Sequence, residues 1–137
     1  MKAKSCRECP PSSKRAAPHP GPRCATHHRA RRKALREAAH GRSILKTYGI
    51  TKEQYEELYA AQGGACYICQ RATGKTRKLA VDHDHKTGYV RGLLCSTCNK
   101  MLGHARDNPA MFDIAANYLR NPPAHYVIGK VKPDGED

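Results

Sequence analysis

The chain has no tryptophan and one phenylalanine, and its 12 acidic residues face 25 lysines and arginines in 137 positions. With aromatics at only 6%, apolar packing is thin. A chain this short buries a modest share of its surface, so such a core usually needs metals, disulfides or a partner subunit. The length excludes two ordinary domains. Long apolar runs are missing too, and a membrane-spanning reading is excluded with them. The shortage of acids is uneven. Residues 1–47 carry 13 Lys/Arg against 2 Asp/Glu, a net of +11 out of the formal +13. Such concentration points to a polyanion partner, most simply nucleic acid, against the plainer alternative of a solubilising arm.

Cysteine, by contrast, is abundant. Seven cysteines and no secretion-like signal argue against a disulfide framework and for zinc in a reducing compartment, the cytoplasm. Cys66-x-x-Cys69 and Cys95-x-x-Cys98 bracket a hairpin-like stretch, and four thiolates would close a structural zinc shell with no open position. Cys6-x-x-Cys9 and Cys24-x-x-His27 offer a second tetrahedral set, with His28 an adjacent competitor for the fourth place.

The fold expected is a small α+β, zinc-stabilised domain. Residues 1–28, rich in proline, read as a Cys/His zinc-binding arm that would be disordered without its cross-link. Residues 29–62 read as a basic helix, with a break expected near Gly41, and a second helix opened by the capping box Thr51-x-x-Gln54. Arg29, Arg32 and Arg36 share one face of the first helix and suit a phosphate backbone, or equally a solvated surface. Residues 63–120 read as the core, with a turn at Lys86-Thr87-Gly88 and a last helix started by Asn108-Pro109. The apolar face of that helix, from Met111 to Leu119, would pack on the zinc module or on a partner. Residues 121–137 read as a flexible tail.

The stretch VDHDHKTGYVRGLLCSTCN, residues 81–99, crowds two chemistries together. The Asp82 carboxylate and the Asn99 amide are hard oxygen donors suited to Mg²⁺ or Mn²⁺, and a neutral histidine can deprotonate a water that attacks phosphorus. A regular strand, however, points Asp82 and His83 to opposite faces. Both can serve one phosphate only if the strand ends, twists or bulges there. The plainer reading makes these residues a surface hairpin or a supporting network.

The block from Cys66 to Asn99, C-x-x-C … VDHDH-x-TG-x-VRGLLC-x-x-CN, resembles the recombination endonuclease VII family of bacteriophages, within the His-Asn-His or ββα-metal nucleases. The resemblance spans roughly residues 46–120. It implies a ββα-metal nuclease core with Cys66, Cys69, Cys95 and Cys98 on zinc. Asp82 and Asn99 would hold the catalytic Mg²⁺ or Mn²⁺, His83 would be the general base, and His85 would contact phosphate or stabilise the transition state. Asp84 would play a supporting part, and Arg91 would bind phosphate or pair locally. The resemblance further implies a homodimer acting on branched DNA in the cytoplasm of a bacterial host. This chain departs from the family's architecture in its short helix after the core and its extra Cys/His arm. The rival class is a non-catalytic zinc-finger DNA-binding protein, and an RNA-directed nuclease is a third reading.

Overall fold

The computed structural model of the chain describes residues 4–133. After a single turn at Pro11–Ser13, its elements are α1 (Ala25–Tyr48), α2 (Lys52–Ala61), β1 (Ala80–His83), β2 (Val90–Leu94), α3 (Ser96–His104), α4 (Pro109–Arg120) and α5 (Ala124–Val127). The chain is a small α+β protein that divides between Leu58 and Tyr59 into two compact units.

In the first unit the proline-rich arm is organised around Cys6, Cys9 and Cys24, which are buried together with Ala17 packed against them. Buried Arg23 donates to the Glu8 carboxylate and to the Pro20 carbonyl. Gly21 makes this possible. It has a φ of +80°, and a Cβ there would lie 2.1 Å from the Arg23 guanidinium.

Helix α1 starts at Ala25, four residues before the expected start, because Cys24 takes the N-cap position and Cys24-x-x-His27 is itself one helical turn. The break expected at Gly41 does not occur. Gly41 sits 3.6 Å (from its would-be Cβ) from Lys52, so its missing side chain leaves room at the start of α2. One glycine costs a helix roughly 1 kcal/mol relative to alanine, too little to interrupt 24 residues. Gly49 closes α1, and the capping box forms reciprocally: Gln54 N–H donates to Thr51 Oγ1 at 3.2 Å and Thr51 N–H to Gln54 Oε1 at 2.8 Å. Tyr55, buried on α2, meets His40 edge-on at 4.9 Å between ring centroids.

In the second unit β1 and β2 form an antiparallel hairpin, and α3 packs on both strands. Its core is Leu79, Val81, Leu93 and Leu94 with Cys66 and Cys98. The backbone of Leu93 points away from β1 and is met by a side chain. Gln62 Oε1 accepts the Leu93 N–H at 2.8 Å, and Gln62 Nε2 donates to the Leu93 carbonyl at 2.9 Å. A Cβ at Gly92 would lie 3.0 Å from that Gln62 oxygen, so the close approach favours glycine. Asn108 caps α4 by accepting the Ala110 N–H, with Pro109 in the first turn. No residue of α4 is buried, and Met111, Ile114, Tyr118 and Leu119 are exposed. The stretch expected to be a loose tail contains the short turn α5, while residues 134–137 of that expected tail lie outside the described residues.

Candidate functional site

Two four-ligand clusters stand out. In the first, the ligand atoms of Cys6, Cys9, Cys24 and His27 all lie within 4.8 Å of one another, and in the second so do those of Cys66, Cys69, Cys95 and Cys98. A tetrahedral zinc with bonds of about 2.3 Å places its sulfurs about 3.8 Å apart. The Sγ atoms of Cys9 and Cys24, and of Cys69 and Cys95, are each 3.9 Å apart. His27 Nδ1 lies 3.2, 3.6 and 3.3 Å from the sulfurs of Cys6, Cys9 and Cys24, so the fourth place falls to His27. His28 instead stacks on His19, centroids 4.2 Å apart. Both donor sets fit zinc.

The thiols differ in acidity. Burial pushes Cys6 up, but the backbone N–H groups of Cys24 and Glu8 reverse this and bring it to about 6. The N–H groups of Ala72 and Arg71 lower Cys69 to about 6, whereas burial and the three neighbouring thiols push Cys98 up to about 12. Each set therefore enters metal binding partly ionised, and uptake must release protons.

The cysteine pairs of the second cluster flank the hairpin in the chain and meet in space. At the hairpin tip, Asp84 Oδ1 accepts the N–H groups of Lys86 at 2.7 Å and Thr87 at 2.9 Å. These bonds, Thr87's first, hold the Asp84 carboxyl below its usual range. Asp84 thus builds the turn.

Next to it lies an irregularity in the strand pairing. With Asp82 opposite Gly92, a regular ladder would set Arg91 opposite His83, on the face away from Asp82. The register instead jumps from Asp82↔Gly92 to His83↔Val90, leaving Arg91 as the extra residue of a bulge. Arg91 then reaches Asp82 with a fork: Nε donates to Oδ2 at 2.7 Å and Nη2 to Oδ1 at 3.0 Å. Asp82 is only 4% exposed, and this pairing offsets the cost of burying it.

The same Arg91 Nη2 donates to Asp107 Oδ1 at 3.2 Å, and Asp107 Oδ2 lies 2.9 Å from His85 Nδ1. The His83 and His85 rings are 4.8 Å apart. A continuous chain thus runs from His85 through Asp107 and Arg91 to Asp82. Asp107 arrives there through two consecutive non-glycine residues in the left-handed region, Arg106 at φ 54° and Asp107 at φ 53°. Each such residue costs on the order of 1 kcal/mol or more, a strain characteristic of functional sites. The His85 contact first, then Arg91, holds the Asp107 carboxyl below its usual range.

Asn99 is half-buried on α3, directly after Cys98, with its N–H bonded to the Cys95 carbonyl. The structure brings Asp82, His83, His85 and Arg91 to one end of the hairpin and sets Asn99 on the helix packed against it. Arg91 is paired locally. In the other unit, Arg29, Arg32 and Arg36 line a common hollow on α1 of about 380 Å³. Sequence reasoning missed Asp107 and Gln62, since neither lies in a motif and each works through a contact made only by the folded chain.

These elements define an α+β module with a zinc-compatible four-cysteine cluster and an acid–imidazole end. The sequence profile of recombination endonuclease VII matches residues 41–121, and the chain belongs to that family of endonucleases. It is similar to two proteins called Gene 59 protein, from Mycobacterium phages D29 and L5. Each is 55% identical over 133 residues, covering 94% of this chain and 81% of the relative. The family match begins inside α1, so the Cys6–His27 cluster lies ahead of it.

Proposed function

We propose that the chain is a divalent-metal-dependent DNA endonuclease of the His-Asn-His, ββα-metal type, hydrolysing phosphodiester bonds in branched, recombining or replicating phage DNA. Family membership supports a nuclease acting on DNA, and the phage relatives support a phage setting, hence the cytoplasm of an infected bacterium. The observation that carries the reading is the register shift between Asp82 and His83, where β1 also ends. It is the departure from a regular strand that lets an acid and the next imidazole address one phosphate.

Asp82 and Asn99 would hold Mg²⁺ or Mn²⁺. Their oxygens are hard donors, and the Arg91 fork uses only part of the roughly four lone-pair sites of a carboxylate. When bound, the ion would polarise the phosphate and stabilise charge on the leaving oxygen. His83 takes the proton of the attacking water. His85, held at Nδ1 by Asp107, keeps Nε2 for the phosphate. Arg29, Arg32 and Arg36 contact the duplex backbone. The exposed face of α4 pairs with a second copy, giving a homodimer whose two sites cut opposite strands.

One observation favours the rival, non-catalytic DNA-binding reading: Arg91 occupies both oxygens of Asp82. The deciding experiment is cleavage of supercoiled plasmid, linear duplex and a four-way junction with Mg²⁺, Mn²⁺ or neither, with His83→Ala alongside. Metal-dependent cutting lost in the variant supports the nuclease, and the ranking of substrates identifies the preferred DNA. Binding without cutting in any metal would favour the rival.

A further inference from the structure

Between the first cysteine pair of the second unit and β1, residues 70–81 read QRATGKTRKLAV, four cations and no acid in twelve positions. Arg71, Lys75, Arg77 and Lys78 line, together with Cys95 and Ser96, a cavity of about 420 Å³. That is many times the roughly 30 Å³ that one water occupies in the liquid. A concavity rimmed by one sign of charge concentrates the opposite sign. The first turn of α3, starting at Ser96, adds the positive end of its dipole.

The loop is tied down along its length. The Ala72 carbonyl accepts the Cys66 N–H at 2.8 Å, and the Thr73 carbonyl accepts the Tyr59 hydroxyl at 2.6 Å. Gly74 turns tightly over buried Leu79, whose Cγ would lie 3.1 Å from a Cβ placed there. The cations are therefore carried on backbone anchored by Cys66, Tyr59 and the Gly74 turn. Arg91, the cation of this unit that sequence reasoning offered to phosphate, is committed to Asp82 and Asp107. The loop supplies what Arg91 does not.

We propose that loop 71–78 is a phosphate-backbone site that seats duplex DNA on the nuclease unit. The inference rests on the reading of DNA as substrate and gives that substrate a second point of contact, away from the Asp82–His83 end.

The test is equilibrium binding of the full, zinc-loaded chain to a labelled DNA duplex without Mg²⁺ or Mn²⁺, over a series of salt concentrations. Each neutralised phosphate contributes about 0.9 to the slope of log affinity against log salt. The variant Arg71→Gln/Lys75→Gln/Arg77→Gln/Lys78→Gln is expected to flatten that slope by about 3 and to weaken binding more than roughly tenfold near 0.1 M salt. Lys75→Glu, a single change, gives a smaller loss of the same sign and guards against misfolding of the quadruple variant. Wild-type slopes in variants that keep their zinc and melting temperature would overturn the proposal. Cutting of the same DNA by the wild type with Mg²⁺ tests the nuclease separately. Cutting with unaltered slopes sinks only the loop site, and loop-dependent binding without cutting sinks only the nuclease.

Discussion

Arg91 grips both oxygens of Asp82, through Nε at 2.7 Å and Nη2 at 3.0 Å, although the two residues would face opposite sides of an unbulged hairpin. The fork neutralises a buried carboxylate and at the same time stands where a cation would bind. Arg91→Gln should therefore have opposed effects. Without Mg²⁺ or Mn²⁺ it destabilises the fold by about 1–3 kcal/mol, because Asp82 is left without its charged partner. It tightens Mn²⁺ binding about tenfold, equivalent to 1.4 kcal/mol. Thermal melting and calorimetry on zinc-loaded protein read the two. Weaker Mn²⁺ binding in the variant would show that Arg91 organises Asp82 instead of competing for it.

Asp107 reaches His85 and Arg91 with separate oxygens. If it positions His85, Asp107→Ala lowers kcat by about 10- to 100-fold, the usual range for a group that orients a functional histidine, with KM little changed. Asp107→Asn, which can still accept from Nδ1–H, should recover part of the loss. Nitrogen NMR of the His85 ring gives the matching signature: the proton sits on Nδ1 in the wild type and shifts toward Nε2 in Asp107→Ala. An unchanged tautomer would remove the positioning role.

Zinc affinity of the four-cysteine cluster should rise with pH, and by different amounts in two ranges. Cys98, pushed up to about 12, must release a proton on binding at any ordinary pH. Cys69, lowered to about 6, is already ionised above that value and must release one only below it. The plot of log affinity against pH should thus steepen by one proton as pH falls through about 6. Competition with a chromophoric chelator between pH 5 and 8 measures it. A constant slope would mean that Cys69 is not acidified in the metal-free fold.

Gln62→Ala removes the acceptor of the Leu93 N–H and one of the two donors to its carbonyl, leaving the Tyr67 N–H at 3.3 Å. Leaving such groups unsatisfied costs about 1–3 kcal/mol, so the melting temperature should fall while zinc content stays whole. Gln62→Glu, which keeps the acceptor and loses the donor, should fall between the two. Equal stability of Gln62→Ala and wild type would show that water replaces the amide without penalty.

The exposed face of α4 gives the dimer a direct test. Ile114→Glu with Leu119→Glu, both at exposed positions, should leave the fold intact and turn the sedimentation of a dimer into that of a monomer. Identical sedimentation of variant and wild type would remove α4 from the interface.

Much of this was legible in the sequence, for reasons of local chemistry. The reciprocal Thr51–Gln54 cap, the Gly49 stop and the Asn108-Pro109 start depend on residues no more than four apart, and the structure contains all three. Both metal sets followed from spacing, but the helical turn inside Cys24-x-x-His27 did not, since residues 1–28 read as an arm and the helix as starting at residue 29. The bulge at Arg91 was only a conditional requirement. Register is decided by competition among whole-strand pairings, and no single residue announces it. Asp107 depends on a left-handed backbone at two residues that ordinarily avoid it. Loop 71–78 went unremarked because its charges acquire a common direction only when the folded chain, with Tyr59 bonded to Thr73, shapes a cavity.

Gln62 also decides what this sheet can become. A two-stranded hairpin has open edges, and an open edge is a template on which a strand from another molecule can grow. By occupying the donor and acceptor of Leu93, the Gln62 amide ends the ladder as a third strand would, without offering a new edge beyond it. The β2 edge of the hairpin is in this way closed at Leu93 to a strand from another copy. Association is left to surfaces that can close on themselves.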